Sequence, residues 1–206
     1  MKSTLQFYWR FLVRAFAESL APMDLSPEPG KWERRNVLLR RAGLRIGRGS
    51  IIMPGMESLV GLHHLVSIGE NCVLGPLVKL WAFHRLEIGA CTVIGAECSF
   101  ANGSHDLSTL EPSARPLIVG RGCRIGHGAR IVGGVRIGDL AVIEPGSVVT
   151  TDVAEAAIVG GVPARVIGQR KIAAHEYLWG DRWYCPRVFE ILPPPTVGVA
   201  QHASAS

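Results

Sequence analysis

The sequence predicts a mainly β chain wound as a parallel β-helix, and three observations predict it. In "VGRGCRIGHGARIVGGVRIGDLAVIEPGSVV" every sixth residue is a β-branched aliphatic: Val119, Ile125, Ile131, Ile137, Ile143 and Val149. The position after each is often glycine (Gly120, Gly126, Gly138), and the position four after each is small or short: Cys123, Ala129, Val135, Ala141 and Ser147. The same rhythm runs earlier, with small insertions between its sets: Ile46 and Ile52, then Ile68, Leu74 and Leu80, then Ile88, Ile94 and Phe100. A period of six fits neither the helical 3.6 nor strand alternation sustained over a long run. Each hexapeptide therefore supplies one short strand and one turn. The aliphatic fills an interior, the small residue fits where three faces converge, and glycine permits tight turning. Three hexapeptides close one triangular coil.

The chain has 206 residues, 48% of them apolar, which suits one domain with extensions. Residues 1–42 form an N-terminal helical extension, in which Leu5, Trp9, Leu12, Phe16 and Leu20 mark one helical face that ends near "APMDLSPEPG". That face is expected to pack on the coil or on a neighbouring subunit. The alternative is peripheral contact with a membrane surface through residues 3–20, supported by Trp9, Arg10 and Arg14. Arg10, Arg14 and Glu18 interrupt the run, so it should not span a bilayer. The basic stretch "KWERRNVLLRRAGLRIGRG" reads mostly as a solvated face. Residues 43–168 carry the β-helix, with a polar interruption at 101–118. Residues 169–206 begin with "KIAAHEYLWGDRWYCPRVFEIL", a short helix and apolar strap, and end in a tail of disordered composition.

A net charge of +5 and a pI near 9.2 favour an anionic partner. The charge is dispersed and no aromatic-basic platform accompanies it, which argues against nucleic acid. Five cysteines, Cys72, Cys91, Cys98, Cys123 and Cys185, form no CxxC pair and are odd in number, so neither a zinc ribbon nor a disulfide framework is expected. A reducing cytoplasm suits them. Cys72, Cys98 and Cys123 fall at the small inward position, where a free thiol acts as a small hydrophobe.

The interruption, "CSFANGSHDLSTLEPSARP", holds one histidine, His105, in a polar loop. A loop histidine is either bonded locally or placed for chemistry. Removing a proton from a hydroxyl as it attacks requires a base whose pKa lies near the working pH, and histidine is the side chain that meets this.

The repeat, together with "GSVVTTDVAEAAIVGGVPARVIG", which looks like a terminal coil and its exit loop, resembles the left-handed β-helix acyltransferases. That family includes the maltose, galactoside and polysaccharide O-acetyltransferases and the xenobiotic acetyltransferases. The resemblance covers roughly Gly43 to Gly168, and "GSHD" matches the catalytic histidine motif, most closely the "SHD" form of colanic-acid-type polysaccharide acetyltransferases. It implies a left-handed coil, a homotrimer with active sites in the grooves between subunits, His105 as general base and acetyl-CoA as donor. Transfer would be direct, with no acyl-enzyme and no metal. Asp106 would orient the imidazole or cap a turn, and Asn102 would meet the acceptor or stabilise the loop. Coenzyme A would lie near Gly133, Gly134, Pro145, Thr150, Thr151 and Arg165.

Two departures stand out. Pro145, in "EPGS", replaces an alanine common in relatives and removes an N–H donor. Thr151, in "TTD", stands where many have lysine.

The expected acceptor is a hydroxyl of a sugar or polysaccharide precursor, with an amino sugar as the alternative. A zinc carbonic anhydrase of the γ type shares the fold, and His63, His64, His84, His105 and His127 raise it, but the HxxxxH spacing of that family is absent. A non-catalytic scaffold would be favoured if His105 pointed away from any groove. The enzyme reading places the protein in the cytoplasm, with the inner face of the membrane as the alternative.

Overall fold

Aliphatic residues six apart can all point inward only if the chain turns a corner between them. In the computed structural model, which describes residues 6, 8–13, 17, 29–59 and 62–171, they do. Strands of two or three residues stack in parallel on three faces. Ile46, Ile68, Ile88, Val119 and Ile137 are register partners along the first face, and a bridge from Ile137 to Val153 continues the row. Ile52, Leu74, Ile94, Ile125, Ile143 and Val159 follow on the second. Ser58, Leu80, Phe100, Ile131 and Val149 follow on the third. All are buried, and the aliphatic rows form one continuous core.

Within every coil the step from one face to the next is six residues. The irregularity falls at one corner, where the third face hands over to the first face of the next coil. There the steps are Ser58 to Ile68, Leu80 to Ile88, Phe100 to Val119, Ile131 to Ile137 and Val149 to Val153. Everything the repeat cannot accommodate is exported to a single edge of the prism.

The turning and the glycine separate into two jobs. Residues three after the inward aliphatic take the left-handed conformation whether or not they are glycine, as at Asn71 (φ 56°), Cys91 (φ 61°) and Leu140 (φ 61°). The glycine directly after the aliphatic serves close approach instead. A Cβ on Gly47 would lie 2.4 Å from the backbone of Gly69 and Glu70, and one on Gly89 would lie 2.5 Å from Gly120. The expectation that this glycine does the turning is thus corrected.

The small inward column is also a hydrogen-bond ladder. Ser50 Oγ donates to Gly69 O (2.8 Å), Cys72 Sγ to Gly89 O (3.2 Å), Thr92 Oγ1 to Gly120 O (2.9 Å) and Cys123 Sγ to Gly138 O (3.2 Å). Burial pushes the Cys72 and Cys123 thiols up to about 12 and that of Cys98 to about 11. These thiols are inert packing groups, not nucleophiles.

The two ends are closed differently. The first coil has no coil below it, so its outer carbonyls would be stranded. The helix Pro29–Arg41 covers those of the first and second faces. Arg35, fully buried, donates to Ile52 O; Asn36 Nδ2 donates to Ser50 O (2.6 Å); Arg40 donates to Ile46 O (2.8 Å) and pairs with Glu33 (2.6 Å). Of the basic stretch, Arg34, Arg41, Arg45 and Arg48 are exposed as expected, whereas Arg35 and Arg40 serve as an end cap. At the other end Ala157–Gly161 and Ala164–Gln169 form an antiparallel hairpin, and Arg170 Nη1 donates to Gly122 O (3.0 Å) and Leu140 O (3.1 Å).

Residues Tyr8–Val13 and Ala17 are helical, but Val13 and Ala17 make the packed side while Trp9 and Leu12 remain exposed. Within the protomer Trp9 and Leu12 do not pack on the coil, which leaves their face for a neighbouring subunit or a membrane surface. Leu5, Phe16 and Leu20, and the strap and tail beyond Lys171, lie outside the described residues.

Candidate active site at the irregular corner

The largest surplus, between Phe100 and Val119, forms a projecting hairpin. Gly103–His105 pairs antiparallel with Pro112–Ala114, with His105 opposite Pro112. The tip is closed by Asp106, whose Oδ1 accepts from the N–H groups of Ser108 and Thr109 (both 2.8 Å) and from Thr109 Oγ1 (3.3 Å). The Thr109 and Ser108 N–H groups hold its carboxyl below the usual carboxylate value. Of the two roles expected for Asp106, the geometry gives turn capping. The His105 imidazole is exposed near the end of this arm.

Asn102 lies at the root of the hairpin, 2% exposed. Its Oδ1 accepts from Phe83 N (2.8 Å) and His84 N (3.2 Å), and its Nδ2 donates to His84 O (2.9 Å) and Arg85 O (3.2 Å). An amide offers two donors and about two acceptor sites, and all are taken. Of the two roles expected for Asn102, the geometry favours stabilising the loop over meeting an acceptor.

Gly133 and Gly134 occupy the same corner one coil further on, and Thr150 and Thr151 two coils on, roughly 10 Å along the axis at the usual strand spacing. Gly134 is required there because the Arg115 side chain crosses it: an added Cβ would lie 2.3 Å from Arg115 Cβ. Exposed Arg115, Arg130 and Arg136 flank this turn. Thr151 and Arg165 line a cleft of about 270 Å³ with Val149, Asp152, Val153, Val159, Ala164 and Val166. Arg165 is exposed and donates to Ala164 O (2.9 Å), not to a carboxylate.

Pro145 is the exception. It is exposed on the corner between the second and third faces, packed over Gly126, away from the corner that holds Gly133, Gly134, Thr150 and Thr151, while Arg165 pairs with Gly160 over the neighbouring Glu144. The shared repeat made it look like a member of the same row.

Among the histidines weighed as zinc ligands, His63 is buried with Nδ1 donating to Ala42 O (3.0 Å). His84 Nδ1 accepts from Arg85 N (2.7 Å) and His127 Nδ1 from Ala96 N (3.1 Å). Among the described residues no group of three or more His, Cys, Asp or Glu is placed to hold a metal.

Comparison with known proteins agrees with this architecture. Residues 116–151 match the family model described as bacterial transferase hexapeptide (six repeats). The chain is 29% identical over 168 residues, 81% of its length and 87% of the relative's, to WcaF of Escherichia coli (strain K12), named as a colanic acid biosynthesis acetyltransferase. A maltose O-acetyltransferase from Clostridium difficile 630 superposes with a TM-score of 0.70 at 20% identity, covering 84% of this chain and 90% of that one. The hexapeptide-repeat acetyltransferase VCA0836 from Vibrio cholerae, solved with acetyl coenzyme A, gives a TM-score of 0.70 at 23% identity, over 82% and 89% of the two chains.

Proposed function

The chain belongs to the hexapeptide-repeat acyltransferases of the left-handed β-helix fold, and we propose that it transfers an acetyl group from acetyl-CoA to a hydroxyl of a sugar or polysaccharide precursor. The observation that carries this is the single irregular corner. It gathers the His105 arm and the Gly133–Gly134 turn with its three arginines on one edge of the prism, and Thr151 leads from that edge to the cleft at the end of the coil stack. WcaF supports a carbohydrate acceptor by its name.

In the proposed reaction His105 takes the proton from the acceptor hydroxyl as its oxygen attacks the thioester carbon. The tetrahedral oxyanion collapses, the C–S bond breaks, and the imidazolium returns its proton to the coenzyme A thiolate. The thioester is already activated, so no acyl-enzyme is needed. Arg115, Arg130, Arg136 and Arg165 supply positive charge for the anionic nucleotide end of the donor.

His105 and Gly103 share one face of the hairpin strand, towards the preceding coil, whereas Arg115 packs towards the following one. Within one protomer the base thus faces away from the Thr151 cleft. This supports a homotrimer in which neighbouring copies complete each site, and light scattering is expected to give the mass of three protomers. A monomer would sink that part.

The acceptor being unidentified, the first test uses the donor alone. Acetyl-CoA at about 100 times its dissociation constant should stabilise the metal-stripped protein by about 2.7 kcal/mol. Zinc should have no such effect. Stabilisation by zinc and not by acetyl-CoA would replace the transferase reading with the metal one.

The proposal extends to placement in the cell. Tyr8, Trp9, Phe11 and Leu12 are exposed on one helical side, and Arg41 shares a groove with Trp9 and Leu12. Apolar and aromatic groups beside a cation suit an anionic membrane surface, here the cytoplasmic one. No helix among the described residues is long and apolar enough to cross a membrane. Co-sedimentation with phosphatidylglycerol vesicles, weakened by Trp9→Ser with Leu12→Ser, is expected; no sedimentation of the wild type would overturn this.

A further inference from the structure

The two extra residues between Leu80 and Ile88 fall in the turn Ala82–Arg85, directly before the hairpin in the corner stack. Phe83 projects from it, 54% exposed. A lone exposed phenylalanine is ordinary. This one is held from two sides.

Asn102 fixes its backbone, since all four hydrogen bonds of that buried amide go to residues 83–85. Gly103 seats its ring. A Cβ at position 103 would lie 2.5 Å from Phe83 Cδ2 and 2.9 Å from Cγ, so the ring occupies the space a side chain would fill. Gly103 and His105 are two apart in one strand, and side chains two apart point to the same side, about 7 Å from each other. The ring and the imidazole therefore lie on the same side of the hairpin strand.

We propose that Phe83 is the acceptor platform, on which a pyranose ring stacks its C–H face while one of its rim hydroxyls reaches His105. The inference rests on the acetyltransferase reading and narrows its acceptor. A pyranose has an apolar face of C–H bonds and a rim of hydroxyls. The face of an aromatic ring carries partial negative charge and attracts such C–H groups. Phenylalanine has no polar handle, so it selects for a ring with an apolar face and not for the pattern of hydroxyls. An open-chain polyol offers no such face.

The test uses methyl α-glucopyranoside, methyl β-galactopyranoside and maltose, with sorbitol as the open-chain control. Saturation-transfer NMR on the wild type without acetyl-CoA should show transfer from aromatic protons to the pyranoside ring protons and none to sorbitol. Phe83→Ala should abolish that transfer, Phe83→Trp should keep it, and Gly103→Ala, which pushes the ring off its seat while keeping it in the chain, should weaken it. In turnover followed by thiol release, Phe83→Ala should raise the pyranoside KM about tenfold with kcat changed less than about threefold.

Equal transfer in wild type and Phe83→Ala, or equal transfer to pyranosides and sorbitol, would overturn the platform. So would a change in solution mass for Phe83→Ala with no change in glycoside binding, since the ring would then be an interface between copies. The binding measurement needs no donor, so its failure is separate from a failure of acetyl-CoA to stabilise the protein, which would count against the parent reading alone.

Discussion

His105→Ala is expected to lower turnover by at least about 100-fold, the lower end of what a positioned general base contributes, with the affinity for acetyl-CoA nearly unchanged. The two effects separate because the imidazole stands at the end of a projecting arm, whereas the Thr151–Arg165 cleft lies at the end of the coil stack, over the last inward residues Val149, Val153 and Val159. Stability should also change little, within about 0.5 kcal/mol, since the side chain is exposed. Thiol release measures the first quantity, and thermal shift with acetyl-CoA measures the second. A His105→Ala enzyme that turns over at near the wild-type rate would remove His105 from the mechanism. A loss of acetyl-CoA binding as large as the loss of turnover would mean the histidine holds the donor.

Phe100→Ala is expected to cost about 3–5 kcal/mol, the range for deleting a buried aromatic side chain. Phe100 is fully buried in the third-face row, between Leu80 and Ile131. The rows above and below are tied to their own coils by ladder hydrogen bonds, so collapse into the cavity is restricted. The substitution also lies two residues before Asn102, so the root of the hairpin should loosen with it. Urea unfolding is the measurement: the midpoint should fall sharply with the slope retained. A loss under about 1 kcal/mol would show that the interior repacks freely and that the coils are less rigid than their register suggests.

The aliphatic rows were legible because a repeat of six has one physical solution, an interior reached once per turn. Every aliphatic picked from Ile46 to Val149 points inward. Ser58 was not legible, since a serine in the interior row breaks the rhythm without breaking the coil. The roles of Arg35, Asn36 and Arg40 were hidden for a related reason. In sequence they are a basic stretch, and only an uncapped strand edge makes them carbonyl donors.

At the site, the interruption at 101–118 drew attention to His105, and the spacing was enough for that. It did not show that Asn102 is tied to the coil before, because its partners are backbone groups that carry no residue signature. Phe83 was missed altogether. The surplus of two residues between Leu80 and Ile88 was visible, however, and read against the long surplus after Phe100 it would have placed both insertions at one corner.

A stack of parallel coils has no length of its own, because each finished coil presents the edge on which another could be laid. Here guanidinium and amide groups of a helix cover the first two faces at one end, and a reversed strand covers the second face at the other. A second molecule arriving end-on meets a ladder blocked on two faces at one end and on one at the other, so neither end offers a whole coil on which the solenoid could be extended into a fibre. That obstruction favours association through the flanks of the prism, the direction in which a closed ring of copies can form.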